Sequence, residues 1–229
     1  MRSIRAIPNH NRAFTRTDLF VLVACVSLAS AILLAQLAAA KARTRLASCT
    51  GNLAKVNQAV LQFAAENRER LPAPFAGDRR DIWWWYKEQV KSHVGLRGES
   101  SASDTVFACP EDRGYTDPIP FCKNGRFDFT SYVFNGVTLP GIPNIAGFPL
   151  SAINQPQRTL LTMEWTAHAP LSWHNSRTGR KNLPFYCDAK SAVAFVDGHV
   201  SFIPIYYNGY NAAYTQDPIP GYDYQYSAK

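Results

Sequence analysis

Charge is absent from residues 19–40, and acid is absent from residues 1–13. The first gap is the larger clue. LFVLVACVSLASAILLAQLAAA is 22 residues long and is interrupted only by Ser27, Ser30 and Gln36. At 1.5 Å per residue it covers about 33 Å, enough for a bilayer core of about 30 Å. A soluble core helix rarely stays apolar on every face for so long. Motifs that carry chemistry are missing too. There is no HExxH, no CxxC pair, and no Ser or Cys nucleophile motif with a base beside it. Nothing in the chain points to an enzyme. Basic charge is scarce beyond the N-terminus. The chain carries +7 in all, residues 1–45 hold +6 of it, and residues 46–229 are left with +1. The basic balance belongs to the flanks of the apolar run, so no nucleic-acid surface is expected. Positive residues stand at both ends of the run, and the positive-inside rule does not orient it.

The run comes after a basic leader, 1–13, with Arg2, Arg5 and Arg12, and then Phe14-Thr15-Arg16-Thr17-Asp18. A cleaved secretory signal is the rival to a membrane anchor, because Ala38-Ala39-Ala40 is an A-x-A site. The run is longer than the usual h-region of about 7–15 residues, and Asp18 is awkward at its start. The stretch from Lys41 to Arg70 favours the anchor. Leu46, Cys49, Leu53, Val56, Val60 and Phe63 recur at steps of 3-4-3-4-3, a heptad seam that faces a partner or a domain core. No helix stop separates this seam from the run. Gly51 is a weak point and a candidate kink. Leu71-Pro72-Ala73-Pro74 ends the pattern, since proline lacks an N–H and restrains the residue before it. The spacing predicts one helix over 14–70, with the membrane span at 19–40.

Residues 71–203 read as an α+β head and residues 204–229 as a tail that holds seven of the eleven tyrosines. Asp81 is placed to cap a short helix over 82–94, with Gly95 as its stop. Trp83-Trp84-Trp85 is unusual, and one of the rings is expected to be exposed or at an interface. Residues 105–109, 131–134 and 159–163 read as strands. The strongest local signal is Asp197-Gly198 between the β-rich runs 192–196 and 199–203, a hairpin with a two-residue turn.

These residues resemble bacterial type IV pilin-like proteins and the pseudopilins of type II secretion, in particular the group with a prepilin N-terminus and a C-terminal H-x9-DG signature. Ala13-Phe14-Thr15 with Asp18 is similar to the prepilin motif of glycine followed by Phe-Thr-Leu-x-Glu. Ser48-Cys49-Thr50-Gly51-Asn52-Leu53 resembles a Cys-x-Asn-Asn-Leu helix segment, and Phe107-Ala108-Cys109-Pro110-Glu111-Asp112 resembles Phe-x-Cys-Pro-x-Asp. Ser131-Tyr132 with Asn135-Gly136 is similar to Ser-Tyr-x-x-Asn, and Phe195-Val196-Asp197-Gly198-His199-Val200 to Phe-x-Asp-Gly-His-Val. The resemblance covers both ends well and the middle loosely. It implies cleavage between Ala13 and Phe14 by a prepilin peptidase, N-methylation of Phe14, and pairing of Asp18 with the N-terminal amine of a neighbouring subunit. A lone carboxylate at membrane depth needs such a partner. The sequence departs from the pattern at Ala13, where the family has glycine, at Arg16, where it is usually apolar, and at Asp18, one methylene shorter than glutamate. Nine residues before Asp197 stands Cys187 in place of histidine, unless His174 supplies it through an insertion.

The expected fold is therefore α+β and pilin-like: a long N-terminal transmembrane and stalk helix packed on a small antiparallel sheet. The expected function is a structural subunit of a type II secretion pseudopilus or type IV-like pilus. It would be single-pass in the bacterial inner membrane, with its head periplasmic or otherwise extracytoplasmic. Its partners would be prepilin peptidase and other pilin-like subunits, in a homo- or hetero-polymer. The alternative is a secreted or surface binding protein released after Ala40, with an aromatic carbohydrate-facing surface. No cofactor is expected. If a metal is held, Glu164, Asp188 and Asp197 are the candidates, and calcium suits carboxylate and carbonyl ligands. His168, His174 and His199 are the histidines that a cluster could recruit. Among Cys25, Cys49, Cys109, Cys122 and Cys187, a Cys109–Cys122 bridge would close a short loop, and unpaired small hydrophobes are the other reading.

Overall fold

Helix α1 runs unbroken from Arg16 to Glu66 in the computed structural model. The structure describes residues 14–75, 83–114, 119–137, 139–168, 171–174, 189–206 and 217–229. The leader with Ala13, the predicted cap Asp81, and both Cys187 and Asp188 lie outside the described residues. The chain divides into two units, residues 1–43 and residues 44–229.

In the first unit every residue from 14 to 43 is exposed, including Leu19, Phe20, Val21, Leu22, Leu33 and Leu34. This stretch of α1 is long and apolar enough to cross a membrane. Its first turn carries a reciprocal cap. The Thr15 hydroxyl accepts the Asp18 N–H at 3.2 Å, and the Asp18 carboxylate accepts the Thr15 N–H at 2.9 Å.

In the second unit α1 buries Cys49, Leu53, Val56, Asn57, Ala59, Val60 and Ala64. The predicted seam is the packed face, with Leu46 and Phe63 half-buried at its ends. Gly51 stays inside the unbroken helix. The helix stops at Glu66, short of the predicted Arg70. Arg68 and Glu69 take left-handed backbone at φ 58° and 60°, which no helix continues through. The Asn67 side chain also donates to the Phe63 carbonyl at 2.7 Å and completes the last turn.

The sheet is a four-stranded antiparallel meander in the order β1 (Tyr132–Phe134), β2 (Leu160–Glu164), β3 (Ala189–Phe195) and β4 (Val200–Ile205). Strands 131–134 and 159–163 and the terminal hairpin stand where the sequence puts them. The turn differs from expectation. Gly198 N–H donates to the Phe195 carbonyl and Phe195 N–H to the His199 carbonyl, both at 3.0 Å. The loop is thus Val196-Asp197-Gly198, and only Gly198 needs positive φ, at 97°. It is a three-residue hairpin with glycine at the left-handed position, not a two-residue turn. Helix α1 is pinned to the sheet by Asn57, whose amide donates to the Phe195 carbonyl at 3.0 Å and accepts from the Thr162 hydroxyl at 2.8 Å.

Other expectations are corrected. Residues 105–109 do not form a strand; Thr105–Phe107 is a 3-10 turn. Its carbonyls are satisfied from the side, because Asn52 of α1 donates to Thr105 O at 3.0 Å and Ala108 O at 2.9 Å. No ladder is needed to pair this backbone. The helix expected over 82–94 is a short α2, Tyr86–Val90, followed by a 3-10 turn, Lys91–Val94. The three tryptophans precede α2 in a turn, and all three are buried, where one ring was expected at the surface. A turn lets successive side chains diverge into separate partners. Trp83 meets His168 with ring centroids 4.2 Å apart, Trp84 meets Phe127 at 4.7 Å, and Trp85 meets Phe134 edge-on at 5.6 Å.

The described end of the tail lies on β2. Leu160 N–H donates to the Gln225 carbonyl, Asn135 donates to the Tyr226 carbonyl at 2.8 Å, and Tyr224 and Tyr226 are buried.

Candidate functional site

The residues that carry the sequence resemblance interlock inside the head. Asp112 accepts the Ser131 hydroxyl at 2.7 Å, the Cys122 N–H at 2.9 Å and the Gly114 N–H at 2.8 Å. Ser131 accepts the Cys109 N–H at 2.9 Å. The Tyr132 hydroxyl reaches the Cys49 carbonyl at 2.9 Å, and Asn135 bonds the carbonyls of Leu160 and Tyr226. Glu111 holds Arg45 of α1 at 2.6 Å and Arg113 at 3.1 Å. Each of these polar side chains satisfies backbone or a partner, and together they fix irregular loops to α1 and β1. At the hairpin, Asp197 accepts the His199 N–H at 3.1 Å and meets its Nδ1 at 2.6 Å, while the His199 ring stacks on Phe195 at 4.1 Å. Asp197, Gly198 and His199 are thus accounted for by the turn.

The sequence candidates at the N-terminus, Phe14 and Asp18, are both exposed. Phe14 stands two residues ahead of α1, and Asp18 is engaged in the cap with Thr15.

The sulfur chemistry differs from the expected pattern. Cys109 is bonded to Cys49, across 60 residues, and Cys122 is a free, buried thiol. The expected Cys109–Cys122 bridge is not formed: Cys49, on the packed face of α1, takes Cys109 as its partner. Burial pushes the Cys122 thiol up to about 11. Cys25 is exposed on α1.

Beside the disulfide lies the one constellation of metal-ligating types among the described residues. The ligand atoms of Cys49, Cys109, Glu164 and His174 all lie within 4.8 Å of one another. Glu164, at the end of β2, is fully buried; its Oε1 meets His174 Nε2 at 2.7 Å and its Oε2 accepts the Ala192 N–H at 2.9 Å. His174 Nε2 also faces Cys109 Sγ at 3.7 Å. Of the expected metal candidates, Glu164 is here and Asp197 is not, while Asp188 lies outside the described residues. Asp197 lies at the other end of β2, whose Leu160 pairs with Phe195. The strand from Leu160 to Glu164 spans about 13 Å, so no shared site with Asp197 exists. Sequence reading missed the cysteines of this cluster. Their signal was Cys49 on the apolar seam, which already required it to face the head.

His168 is separate. It is buried between Trp83 and Tyr226, and burial pulls its imidazole down to about 3. The unfolded chain takes up this proton near pH 6.5, the folded chain only near 3. The stabilisation from keeping the ring neutral is complete above pH 6.5 and drains as pH falls, by about 2 kcal/mol at pH 5. Asp128, raised to about 6 by burial, runs the other way and costs stability as pH climbs from about 4 through 6. Urea midpoints at pH 8 and pH 5 should therefore separate His168→Gln from the parent chain, the variant losing about 2 kcal/mol less on acidification. An equal loss would show that His168 is not a buried neutral ring.

No protein family, curated sequence or solved structure matches this chain.

Proposed function

We propose that this chain is a pilin-like structural subunit. In this reading a prepilin peptidase cuts between Ala13 and Phe14, and the mature chain assembles through α1 into a type II secretion pseudopilus or type IV-like pilus. The observation that carries the reading is the continuity of α1. One unbroken helix has an uncharged, exposed half over 19–40 and a half that supplies the packed face of an α+β head. A signal peptide needs an extended, accessible cleavage site after Ala40, whereas residues 38–44 are helical. The helix serves as a single inner-membrane span, and the Cys49–Cys109 disulfide suits a head in an oxidising, extracytoplasmic compartment. The four motif segments that fall in the second unit, 48–53, 107–112, 131–136 and 195–200, act as packing devices within the head, which fits a subunit more than a catalyst. Thr15 holds the Asp18 carboxylate one turn from the new N-terminus, poised for the amine of a neighbouring subunit.

Mass spectrometry of the mature N-terminus from the native membrane tests this. A peptide beginning with N-methyl-Phe14 is the expected result. A peptide beginning at Lys41 would replace the subunit with a secreted domain. An intact Met1 would mean an unprocessed anchor that cannot assemble in this way.

A further inference from the structure

We propose that the Cys49–Cys109 disulfide and a zinc ion are alternative occupants of one buried cluster: with the cysteines reduced, Cys49, Cys109, Glu164 and His174 bind Zn²⁺ as a four-ligand site. The proposal concerns the head alone and does not depend on any role for residues 14–43.

The first argument is convergence. In a tetrahedral zinc site with bonds of about 2.0–2.3 Å, neighbouring ligand atoms stand about 3.3–3.8 Å apart. Cys109 Sγ and His174 Nε2 are 3.7 Å apart, already at that spacing. Glu164 Oε1 is closer to Nε2, at 2.7 Å, because a hydrogen bond joins them. Replacing that proton by a metal requires an opening of about 0.6 Å.

The second argument is direction. The carboxylate and the sulfur address the same imidazole nitrogen. A proton relay would place the carboxylate on Nδ1 and leave Nε2 for the sulfur. Two donors facing one nitrogen surround a point instead, which is how ligands are arranged around an ion.

The third is the outer shell. Glu164 Oε2 is held by the Ala192 N–H, the Cys109 N–H by Ser131, and the His174 ring edge-on against Phe202 at 5.6 Å. Groups that orient ligands in this way are the usual support of a metal centre. The donor set of two sulfurs, one nitrogen and one carboxylate oxygen suits zinc and does not suit calcium.

The two occupants exclude each other, since zinc needs both sulfurs as thiolates. In the newly made chain the thiols are already present. From the oxidised head, a dithiol supplies two electrons and two protons, breaks the S–S bond and closes its own disulfide. Cys49 and Cys109 then release two protons to water as Zn²⁺ binds. Exchange with a small-molecule disulfide runs the other way: that disulfide takes two electrons from the thiolates and two protons from water and leaves as two thiols, while the Cys49–Cys109 bond re-forms and expels the ion. Zinc thereby ties α1, the loop at Cys109, β2 and residues 171–174 together whenever the covalent tie is absent.

The test uses the full chain in detergent. It is unfolded in urea with a water-soluble phosphine as reductant, and refolded anaerobically with equimolar Zn²⁺ or with a chelator. Metal is counted after gel filtration, and Co²⁺ replaces zinc in a parallel sample to report thiolate ligation by its charge-transfer band. The expected result is one zinc per reduced chain, none per oxidised chain, and a tetrahedral thiolate–cobalt spectrum. Glu164→Gln and His174→Ala should each weaken binding by at least about tenfold, and Cys122→Ser should not. Each variant is first checked for folding in its oxidised form, where the disulfide holds the head. Zinc retained equally by Glu164→Gln and His174→Ala overturns the proposal. So does a reduced chain that zinc fails to refold, and so does zinc held as well by the oxidised chain.

Discussion

Replacing Cys49 and Cys109 together by alanine should lower the stability of the head by about 4 kcal/mol in chelator-treated buffer. The disulfide spans 60 residues, and closing a loop of that length removes much of the freedom of the unfolded chain. The bridge ties the packed face of α1 to a loop that has no ladder of its own. Its loss also removes a constraint on the 3-10 turn Thr105–Phe107, which then relies on Asn52 and Ser131. Cys122→Ala is the control, because that thiol is free and its loss leaves the covalent framework intact. Urea unfolding under non-reducing conditions reads both. A double variant within about 1 kcal/mol of the parent would show that the bridge does not constrain the unfolded chain as the loop-entropy account requires.

Lys87→Met should cost about 3–5 kcal/mol, the range for breaking a buried ion pair by removing one partner. Lys87 is fully buried on α2, and its Nζ meets Asp104 Oδ2 at 2.9 Å and the Asp128 carbonyl at 2.6 Å. Burial draws the ammonium below its usual range, and hydrogen bonding to Asp104 opposes the shift. At Asp104 burial works against the charge, but bonds from Lys87 and the Ser101 N–H outweigh it and hold the carboxyl below its usual range. Methionine keeps the volume and leaves Asp104 charged without its counter-ion. It also strips a donor from Asp128, which with Phe129 takes left-handed backbone at φ 51° and 52°. Lys87→Met/Asp104→Asn should recover part of the loss, since the uncompensated charge is gone, but not all, since the turn at Asp128 stays unsupported. Strictly additive single and double variants would mean that the pair carries no coupling.

How far the candidate cluster could be read from sequence is settled by separation along the chain. Glu164 and His174 are ten residues apart, and both are visible as ligand types. Their convergence on Cys49 and Cys109 is not, because no spacing rule links positions 49, 109, 164 and 174. The short-loop rule favours Cys109–Cys122, and it loses to a contact that closes a loop of 60 residues. Trp83, Trp84 and Trp85 are a similar case. Period rules assume a helix or a strand, and this run is a turn whose three rings find three different neighbours.

Helix α1, its packed face and the β3–β4 hairpin come from local order in the chain. A charge-free run, a 3-4 repeat and an Asp-Gly flanked by β-rich segments each specify backbone geometry within about one or two turns of helix or strand. The helix end at Glu66, the three-residue turn at Gly198, the disulfide partner of Cys109 and the burial of His168 and Lys87 do not. Each depends on which distant groups arrive: the Leu150 N–H at the Glu69 carbonyl beyond the helix end, the Pro156 and Thr159 carbonyls at the N–H groups of Asp197 and Val196 in the turn, and a partner sulfur, charge or ring at the others. That choice is made by packing, where the cost of leaving a buried polar group unpaired outweighs local preference.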